Sequence, residues 1–304
     1  MADMSVTLAG VTFKNPVIMA SGCYGFGQEY TDFYPVSRLG GISLKGTTLE
    51  PRQGNPPPRI AETPAGMLNS VGLQNPGGEA FVKEELPRLA GSGTVLIANA
   101  AGSTLESYVG LVELLDNSPI DMIELNISCP NVKEGGMAFG ASCAGASEIT
   151  KAVRSKTRKP LMVKLTPNVT DIAEIAKACE AEGADAVSLI NTLLGMRIDI
   201  KTRRPVIRQN MGGLSGPAVF PVALRMVWQV SRAVAIPVVG LGGIEKWEDA
   251  AEMMMAGATA IQVGTACFYD PYAPIKIIEG LEAYAGREGM ASITELTGLA
   301  VANG

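Results

Sequence analysis

The sequence predicts a (β/α)8 barrel, and three observations support this fold class. Eight short apolar runs recur along the 304-residue chain, and longer segments with helical periodicity lie in most of the gaps between them. The runs are almost entirely apolar rather than alternating, as expected for parallel strands covered on both faces. With 47% hydrophobic and 18% charged residues, the chain can bury a large core. We expect one domain over residues 1–304; an open doubly wound sheet is the alternative, which eight units make less favoured.

The elements follow one another in a regular order along the chain. A hairpin with strands 6–8 and 11–13 around Ala9 and Gly10 is expected to cap the barrel floor. One helix is expected to begin with Thr170 or Asp171 as its cap, and Cys143 is predicted at another helix start. The predicted barrel strands cover residues 16–20, 42–45, 95–99, 122–127, 161–165, 186–190, 237–240 and 260–263, and the predicted helices cover residues 78–89, 105–115, 171–182, 222–234, 247–255 and 272–284.

Two connections, residues 46–94 and 191–236, are much longer than the others. Both follow the carboxyl end of a predicted strand, which is the face where barrels of this kind carry their active sites. We therefore predict that both connections contribute active-site loops.

The composition excludes several classes of chemistry. The chain has no histidine, so it cannot use a Ser-His-Asp triad, a Cys-His pair or an HExxH zinc site. Its five cysteines are widely spaced and form no CxxC motif, which argues against a disulfide framework, a zinc site or an iron–sulfur cluster. A net charge of −5 argues against a nucleic-acid partner. No secretory signal or membrane span is recognisable, so we expect a cytoplasmic protein with reduced thiols.

Polar residues follow or end most of the predicted strands, where burial without a partner would be costly. Lys45 and Lys164 place ammonium groups among apolar neighbours, so each is expected to meet an anionic ligand group, although a lysine can also extend to the rim. Glycines after the last two strands suit a phosphate group bound by backbone N–H groups. The sequence thus predicts a phosphorylated ligand with hydrogen-bonding edges at the barrel mouth. The residues concerned are Ser21, Lys45, Asn99, Asn126, Lys164, Asn191, Thr192, Gly242, Gly243, Gly264 and Thr265.

Cys129 is the candidate base. It follows the fourth predicted strand by two residues and precedes Pro130, which places it on a loop at the catalytic face. A free thiol has a reference pKa of about 8.5, so in a chain without histidine it is the group closest to titrating at neutral pH. The alternative is a small buried hydrophobe, which is the interpretation adopted for Cys179 and Cys267.

Longer motifs extend the interpretation to nearly the whole chain. They resemble class 1 dihydroorotate dehydrogenases, and in particular the B-type, NAD-dependent catalytic subunits. The resemblance implies a barrel that binds FMN at its mouth and oxidises dihydroorotate to orotate in pyrimidine biosynthesis. The motifs are NPVIMASGCYGFGQEY, KGTTLEPRQGNPPPRIAETPAGMLNSVGLQNPG, NISCPNVKEGGMAFG, VKLTPNVTDI, INTLLGMR, GGLSGPA, VGLGGI and VGTA.

The resemblance also assigns roles to individual residues. Cys129 matches the catalytic base, under a flap that contains residues 133–136, and Lys164 would stabilise the reduced flavin. The FMN contacts would be Ser21, Lys45, Gly46, Asn99, Asn126, Lys164 and Ile190, with Gly216, Gly242, Gly243, Gly264 and Thr265 mainly around the phosphate. The substrate contacts would be Lys45, Asn69, Ser70, Val71, Gly72, Leu73, Asn126, Asn191 and Thr192.

B-type enzymes pass electrons to NAD⁺ through a second subunit that carries FAD and a [2Fe–2S] cluster, in a heterotetramer with a homodimeric core. We expect the same partner here, since this chain has neither a four-cysteine cluster motif nor a GxGxxG turn after a strand. Four other functions stay open. They are a fumarate-using class 1A enzyme, a dihydropyrimidine dehydrogenase catalytic subunit, a flavin-free Schiff-base lyase that uses Lys164, and a non-catalytic barrel subunit.

Overall fold

Eight parallel strands close into a barrel in the computed structural model, which describes residues 2–128 and 139–302. The predicted fold class is therefore confirmed. In barrel order from first to eighth, the strands are Val17–Met19, Gly41–Ser43, Val95–Ala100, Met122–Asn126, Leu161–Lys164, Ala186–Leu189, Val238–Leu241 and Ala260–Val263. Each lies within one or two residues of its predicted bounds. Lys45 consequently falls two residues after the second strand rather than at its end.

Helices cover the outside of the barrel. The segment predicted as residues 78–89 is helical throughout, but its turns change from α (Gly78–Ala80) to π (Phe81–Glu85) to 3-10 (Leu86–Leu89). Asp171 caps its helix, because its carboxylate accepts from the backbone N–H groups of Ala173 and Glu174. The longer helices are Leu105–Asp116, Cys143–Arg154, Ile172–Ala181, Phe220–Ser231, Trp247–Met255 and Ala273–Arg287, and shorter helical turns occur at Val36–Arg38, Phe139–Ala141, Pro217–Val219, Ala266–Tyr269, Ile293–Leu296 and Leu299–Ala302.

An antiparallel hairpin precedes the barrel, as predicted. Its strands are Val6–Leu8 and Val11–Phe13, and Ala9 and Gly10 both have positive φ at the turn, as a tight two-residue turn requires. The ring of Phe13 packs against Gly41, where a Cβ atom would lie 2.8 Å from the ring. Because Gly41 begins the second strand, the hairpin lies at the amino-terminal end of the barrel, opposite the predicted catalytic face.

The two long connections form a second sheet, where loops were predicted. Its four antiparallel strands are Ile60–Thr63, Gly66–Asn69, Leu193–Met196 and Met211–Ser215, and Gly213 pairs with Asn69. A two-stranded antiparallel ribbon, Ile198–Asp199 with Arg204–Pro205, is formed by the chain between the strands Leu193–Met196 and Met211–Ser215. Glycine lowers strand propensity, and the central pair of the sheet, Gly66–Asn69 with Met211–Ser215, joins strands more than a hundred residues apart in sequence. Local patterns therefore do not reveal them.

The barrel interior contains one polar layer. Ser43, Glu124, Ser188 and Gln262 come from the second, fourth, sixth and eighth strands, and all four are almost completely buried. Barrel interiors are filled by layers of four side chains from alternate strands, usually branched aliphatic ones. Here the layer is held by hydrogen bonds from the other three side chains to the Glu124 carboxylate.

Two glycines of the helix Ala273–Arg287 should respond oppositely to substitution by alanine. At Gly280 a Cβ atom would lie 2.3 Å from Cγ of Trp247, whereas at Gly286 it would meet no atom within 4 Å. Alanine is favoured over glycine in helices by up to about 1 kcal/mol, but overpacking costs about 1–3 kcal/mol. In urea unfolding, Gly280→Ala should lower the free energy of unfolding, and Gly286→Ala should raise it or leave it unchanged. Equal effects at both positions would contradict the packing of Trp247 on Gly280.

Candidate active site

A cavity of about 300 Å³ opens at the carboxyl ends of the barrel strands. The second sheet forms one wall, through residues such as Met67 and Leu214. Of the residues predicted for the site, the lining includes Ser21, Lys45, Gly46, Asn69, Val71, Gly72, Leu73, Asn99, Asn126, Lys164, Ile190, Asn191, Thr192, Gly216, Gly242, Gly243, Gly264 and Thr265.

Two of the predicted site residues, Ser70 and Cys129, are not among the described residues that line the cavity. Ser70 is fully buried and does not line the cavity; its backbone N–H donates to the carbonyl of Arg59. Ser70 directly follows the strand Gly66–Asn69, and it is not part of the cavity wall to which Asn69 contributes. Cys129, and the flap predicted around residues 133–136, lie outside the described residues.

Amide side chains run across the floor of the cavity. Asn99 donates from Nδ2 to Glu124 at 2.6 Å, and its Oδ1 lies 3.5 Å from Nδ2 of Asn126. The Oδ1 of Asn126 in turn accepts from the hydroxyl of Ser128 at 2.7 Å and from Nδ2 of Asn191 at 3.4 Å. These contacts hold three amides from the third, fourth and sixth strand ends against one another. They can therefore present donors and acceptors to a ligand in one fixed arrangement.

Two ammonium groups reach the cavity from different strands. Lys164, the last residue of the fifth strand, has a side chain that is 6% exposed and lies 3.8 Å from Oε2 of Glu124. Lys45 is held at its backbone by the carbonyl of Gly25, and burial lowers the pKa of its amine below the ordinary value. Both positions favour an anionic or strongly accepting group in the cavity.

Glycines form the opposite side of the cavity, near the amino end of the helix Phe220–Ser231. Gly216, Gly242 and Gly243 have φ values of 101°, 122° and 78°, which L side chains rarely adopt. A Cβ atom on Gly243 would lie 2.7 Å from the backbone nitrogen of Phe220 and 2.9 Å from the carbonyl oxygen of Gly216. The close backbone approach therefore requires glycine, and such turns suit the binding of a phosphate.

Sequence reasoning missed two residues at the floor. Gln262 is 1% exposed, lines the cavity and donates to Glu124, while its Oε1 has no hydrogen-bond partner among the described residues. Glu124 lies directly beneath, and its signal in the sequence is an acidic residue inside the otherwise apolar run MIELN. Complete burial raises the pKa of a carboxyl group, but the Lys164 ammonium and the hydrogen bonds from Ser43, Gln262 and Ser188 hold the pKa of Glu124 below its usual value.

One thiol also lines the cavity, and it is unsuited to act as a base. Burial raises the pKa of Cys23 to about 12, with a further contribution from Cys267 that Lys164 and Lys45 only partly offset. Cys23 is therefore protonated throughout the neutral range.

The rate of alkylation should differ strongly among the described thiols. Cys143 is exposed, whereas burial raises the pKa of both Cys23 and Cys179 to about 12. Because only the thiolate reacts, iodoacetamide at pH 8 should modify Cys143 at least about a hundredfold faster than the other two. Peptide mass spectrometry resolves the sites, and unfolded protein in urea supplies the control in which the rates converge. Rapid modification of Cys23 in the folded protein would contradict the raised pKa of its thiol.

Two features absent from the described residues bear on the class of protein. No group of three or more cysteine or acidic side chains there is placed to hold a metal ion. No helix in the same part of the chain is long and apolar enough to cross a membrane.

Fold and site together define the class: a barrel with a ligand cavity at the carboxyl ends of its strands is the architecture of an enzyme. The dihydroorotate dehydrogenase family model matches residues 3–284. The chain belongs to the dihydroorotate dehydrogenase family, and it is an oxidoreductase. A protein of Bacteroides thetaiotaomicron named dihydroorotate dehydrogenase B (NAD(+)), catalytic subunit, is 57% identical over 299 residues, which cover 98% of this chain and 99% of that protein.

Relatives from other bacteria carry the same name. The Bacteroides fragilis protein is also 57% identical over 299 residues, again 98% of this chain and 99% of that protein. The protein of Alkaliphilus oremlandii is 55% identical over 296 residues, which is 97% of this chain and 98% of that protein. The family resemblance seen in the sequence motifs is thus confirmed, including its B-type form.

Proposed function

We propose that this chain is the catalytic subunit that oxidises (S)-dihydroorotate to orotate with FMN, in a B-type enzyme that delivers electrons to NAD⁺. The observation that carries the proposal is the floor of the cavity, where the Lys164 ammonium and the amides of Asn99, Asn126 and Gln262 converge. The names of the full-length relatives supply the substrate and the acceptor.

The residues present fit FMN. Gly216, Gly242 and Gly243 form a backbone cradle that a Cβ atom would fill, as a phosphate group requires. The floor offers amide oxygens to N–H donors and an ammonium to an accepting or anionic atom, which suits the polar edge of a flavin. These residues, with Ser21, Lys45, Gly46, Ile190, Gly264 and Thr265, would hold the cofactor.

FMN, when bound, supplies a two-electron acceptor for the hydride that leaves C6 of dihydroorotate. The chain supplies the remaining parts. Lys164 holds positive charge at the floor, where negative charge develops during the reaction. Asn69, Asn126, Asn191 and Thr192 offer donors and acceptors to the amide edges of the pyrimidine, and Lys45 can meet its carboxylate. Val71, Gly72 and Leu73 complete the segment that we assign to substrate binding, and the buried Ser70 holds this segment through its backbone hydrogen bond to the carbonyl of Arg59.

Cys129 takes the proton from C5 in this proposal. Its role rests on the motif NISCPNV and on its place in the chain directly after Ser128, whose hydroxyl donates to Asn126 in the cavity. Loss of the C5 proton and the C6 hydride forms the C5–C6 double bond of orotate, so electrons and protons balance.

Electrons must leave the chain after each turnover. The relatives' name, catalytic subunit, supports a separate partner subunit. We assign to that partner FAD and a [2Fe–2S] cluster, and to the whole a heterotetramer around a homodimer of this chain, in the cytoplasm. The present chain would then act as one FMN-binding domain over residues 1–304.

The proposal is tested by purifying the chain and measuring orotate formation under single-turnover conditions. A yellow protein that oxidises dihydroorotate but not dihydrouracil is expected, and a preference for dihydrouracil would instead indicate a dihydropyrimidine dehydrogenase. Multiple turnovers with fumarate and none with NAD⁺ plus the partner would indicate a class 1A enzyme. A colourless protein that borohydride couples to substrate would indicate a Schiff-base lyase.

Replacing the proposed base should separate proton transfer from cofactor binding. Cys129→Ser should retain FMN but lose about 10²–10⁴-fold in turnover near pH 7, because a hydroxyl is a much weaker base than a thiolate. Its activity should recover partly at alkaline pH. Cys143→Ser, at an exposed thiol, is the matched control. Native turnover of Cys129→Ser at pH 7 would show that Cys129 is not the base.

Removing the floor ammonium should affect both cofactor and stability. Lys164→Ala should retain FMN less well or reduce it at least about tenfold more slowly, and breaking the buried ion pair should lower stability by about 3–5 kcal/mol. Lys83→Ala, at a side chain that is 70% exposed, is the control. Flavin fluorescence after dialysis measures FMN retention, stopped-flow spectroscopy measures the rate of flavin reduction, and urea unfolding measures the stability. A yellow, fully active Lys164→Ala enzyme would contradict this role.

A further inference from the structure

Glu124 lies in the fourth strand with 0% of its surface exposed, and it does not line the cavity. An ionised carboxylate in such a place costs several kcal/mol unless its charge and lone pairs are satisfied. Nothing in the proposed reaction uses Glu124 directly. Its presence in a barrel layer that is normally aliphatic therefore requires another reason.

Among the described residues, four side chains form hydrogen bonds with the Glu124 carboxylate, and all four act as donors. Its Oε2 accepts from the Ser43 hydroxyl and from Nδ2 of Asn99, both at 2.6 Å, and its Oε1 accepts from the Ser188 hydroxyl and from Nε2 of Gln262, both at 2.8 Å. A carboxylate has about four lone-pair sites and no donor, so it matches these four donors one to one. A glutamine in its place would present an amide nitrogen to at least one of them.

This pairing determines how the Asn99 amide faces the cavity. Because Asn99 and Gln262 both turn their nitrogens to Glu124, the carbonyl oxygen of each amide points away from the carboxylate. The Oδ1 of Asn99 lies where a Cβ on Gly46 would be 2.9 Å away, and Gly46 lines the cavity. The Oε1 of Gln262 is the buried acceptor without a partner among the described residues.

Glu124 is also the counter-charge of Lys164. Their 3.8 Å contact is the one ion pair of Lys164 among the described residues. The other titratable groups around the cavity do not replace it: Lys45 has the same charge, Cys23 is a protonated thiol, and Glu245 is exposed at the rim.

We infer that Glu124 is a positioning residue for the proposed reaction: its carboxylate is the counter-charge of Lys164 and turns the carbonyl oxygen of Asn99 toward the ligand. The floor thus presents one acceptor beside one cation. It accepts a ligand edge in which an N–H donor stands beside an accepting or anionic atom, and it disfavours the reversed pattern. The inference rests on the proposed function only for the identity of that ligand.

Glu124→Gln tests the counter-charge of Lys164, because it removes the negative charge with almost no change of shape. FMN should dissociate at least about tenfold faster from Glu124→Gln than from the native chain at pH 7, because the floor loses the group that holds its cation in place. The rise in fluorescence of released flavin measures this rate.

Ser188→Ala is the matched control, since it removes a hydrogen bond to Glu124 at similar depth but no charge. Its FMN dissociation rate should stay within about threefold of the native value. An unchanged FMN dissociation rate in Glu124→Gln, or equal changes in both variants, would show that Glu124 is merely structural and overturn the inference.

If Glu124→Gln does not fold, Lys164→Met reverses the test by removing the cation instead. The pKa of Glu124 in the native chain is held down in part by Lys164, so it should rise in this variant. Stability lost through the unpaired carboxylate is then regained on protonation. The difference in urea midpoint between native and variant should shrink from pH 7 to pH 4, and a constant difference would overturn the inference.

The urea comparison of Lys164→Met with the native chain needs neither flavin nor substrate, so it is made in every case and separates the two proposals. A difference that shrinks toward pH 4 in a chain that does not oxidise dihydroorotate rejects the function and retains the role of Glu124. A constant difference in an active enzyme does the opposite.

Discussion

A buried carboxylate beneath the cavity organises the site of this barrel. Glu124 receives hydrogen bonds from side chains on the second, third, sixth and eighth strands and an ion pair from the fifth. Each partner relieves part of the desolvation cost, and together they hold the pKa of the carboxyl below its usual value. Strands that are distant in sequence are thus joined at one point, directly below the residues that meet a ligand. The same contacts stabilise the barrel and orient the floor of the site.

This arrangement explains how a chain without histidine can carry out dehydrogenation. The proposed reaction needs a base for one proton, an acceptor for one hydride and a fixed positive charge. Cys129, FMN and Lys164 are assigned to these tasks in the proposal, and Glu124 supplies the counter-charge of Lys164. Cys23, a thiol that lines the cavity, is unsuited to take the proton, since burial raises its pKa to about 12.

Most of the fold and many of the lining residues could be predicted from the sequence, for a physical reason. Parallel barrel strands are short and wholly apolar, so a polar residue at a strand end, such as Asn126 or Lys164, stands out. The wall formed by Gly66–Asn69 and Met211–Ser215 could not be predicted, because its stability comes from pairing over long sequence separation. Ser70 was predicted to contact substrate together with its neighbours, but it is buried and does not line the cavity. Glu124 carried a clear signal, yet its meaning depends on four donors that only the closed barrel brings together.

Neutron diffraction from crystals of the deuterated, flavin-loaded chain tests the role of Glu124 most directly, because it locates the protons on which that role depends. The expected map shows no deuteron on the Glu124 carboxylate, three on Nζ of Lys164, and the amide nitrogens of Asn99 and Gln262 both pointing at Glu124. A deuteron on Glu124, or an amide oxygen turned toward it, would contradict the proposed organisation of the site.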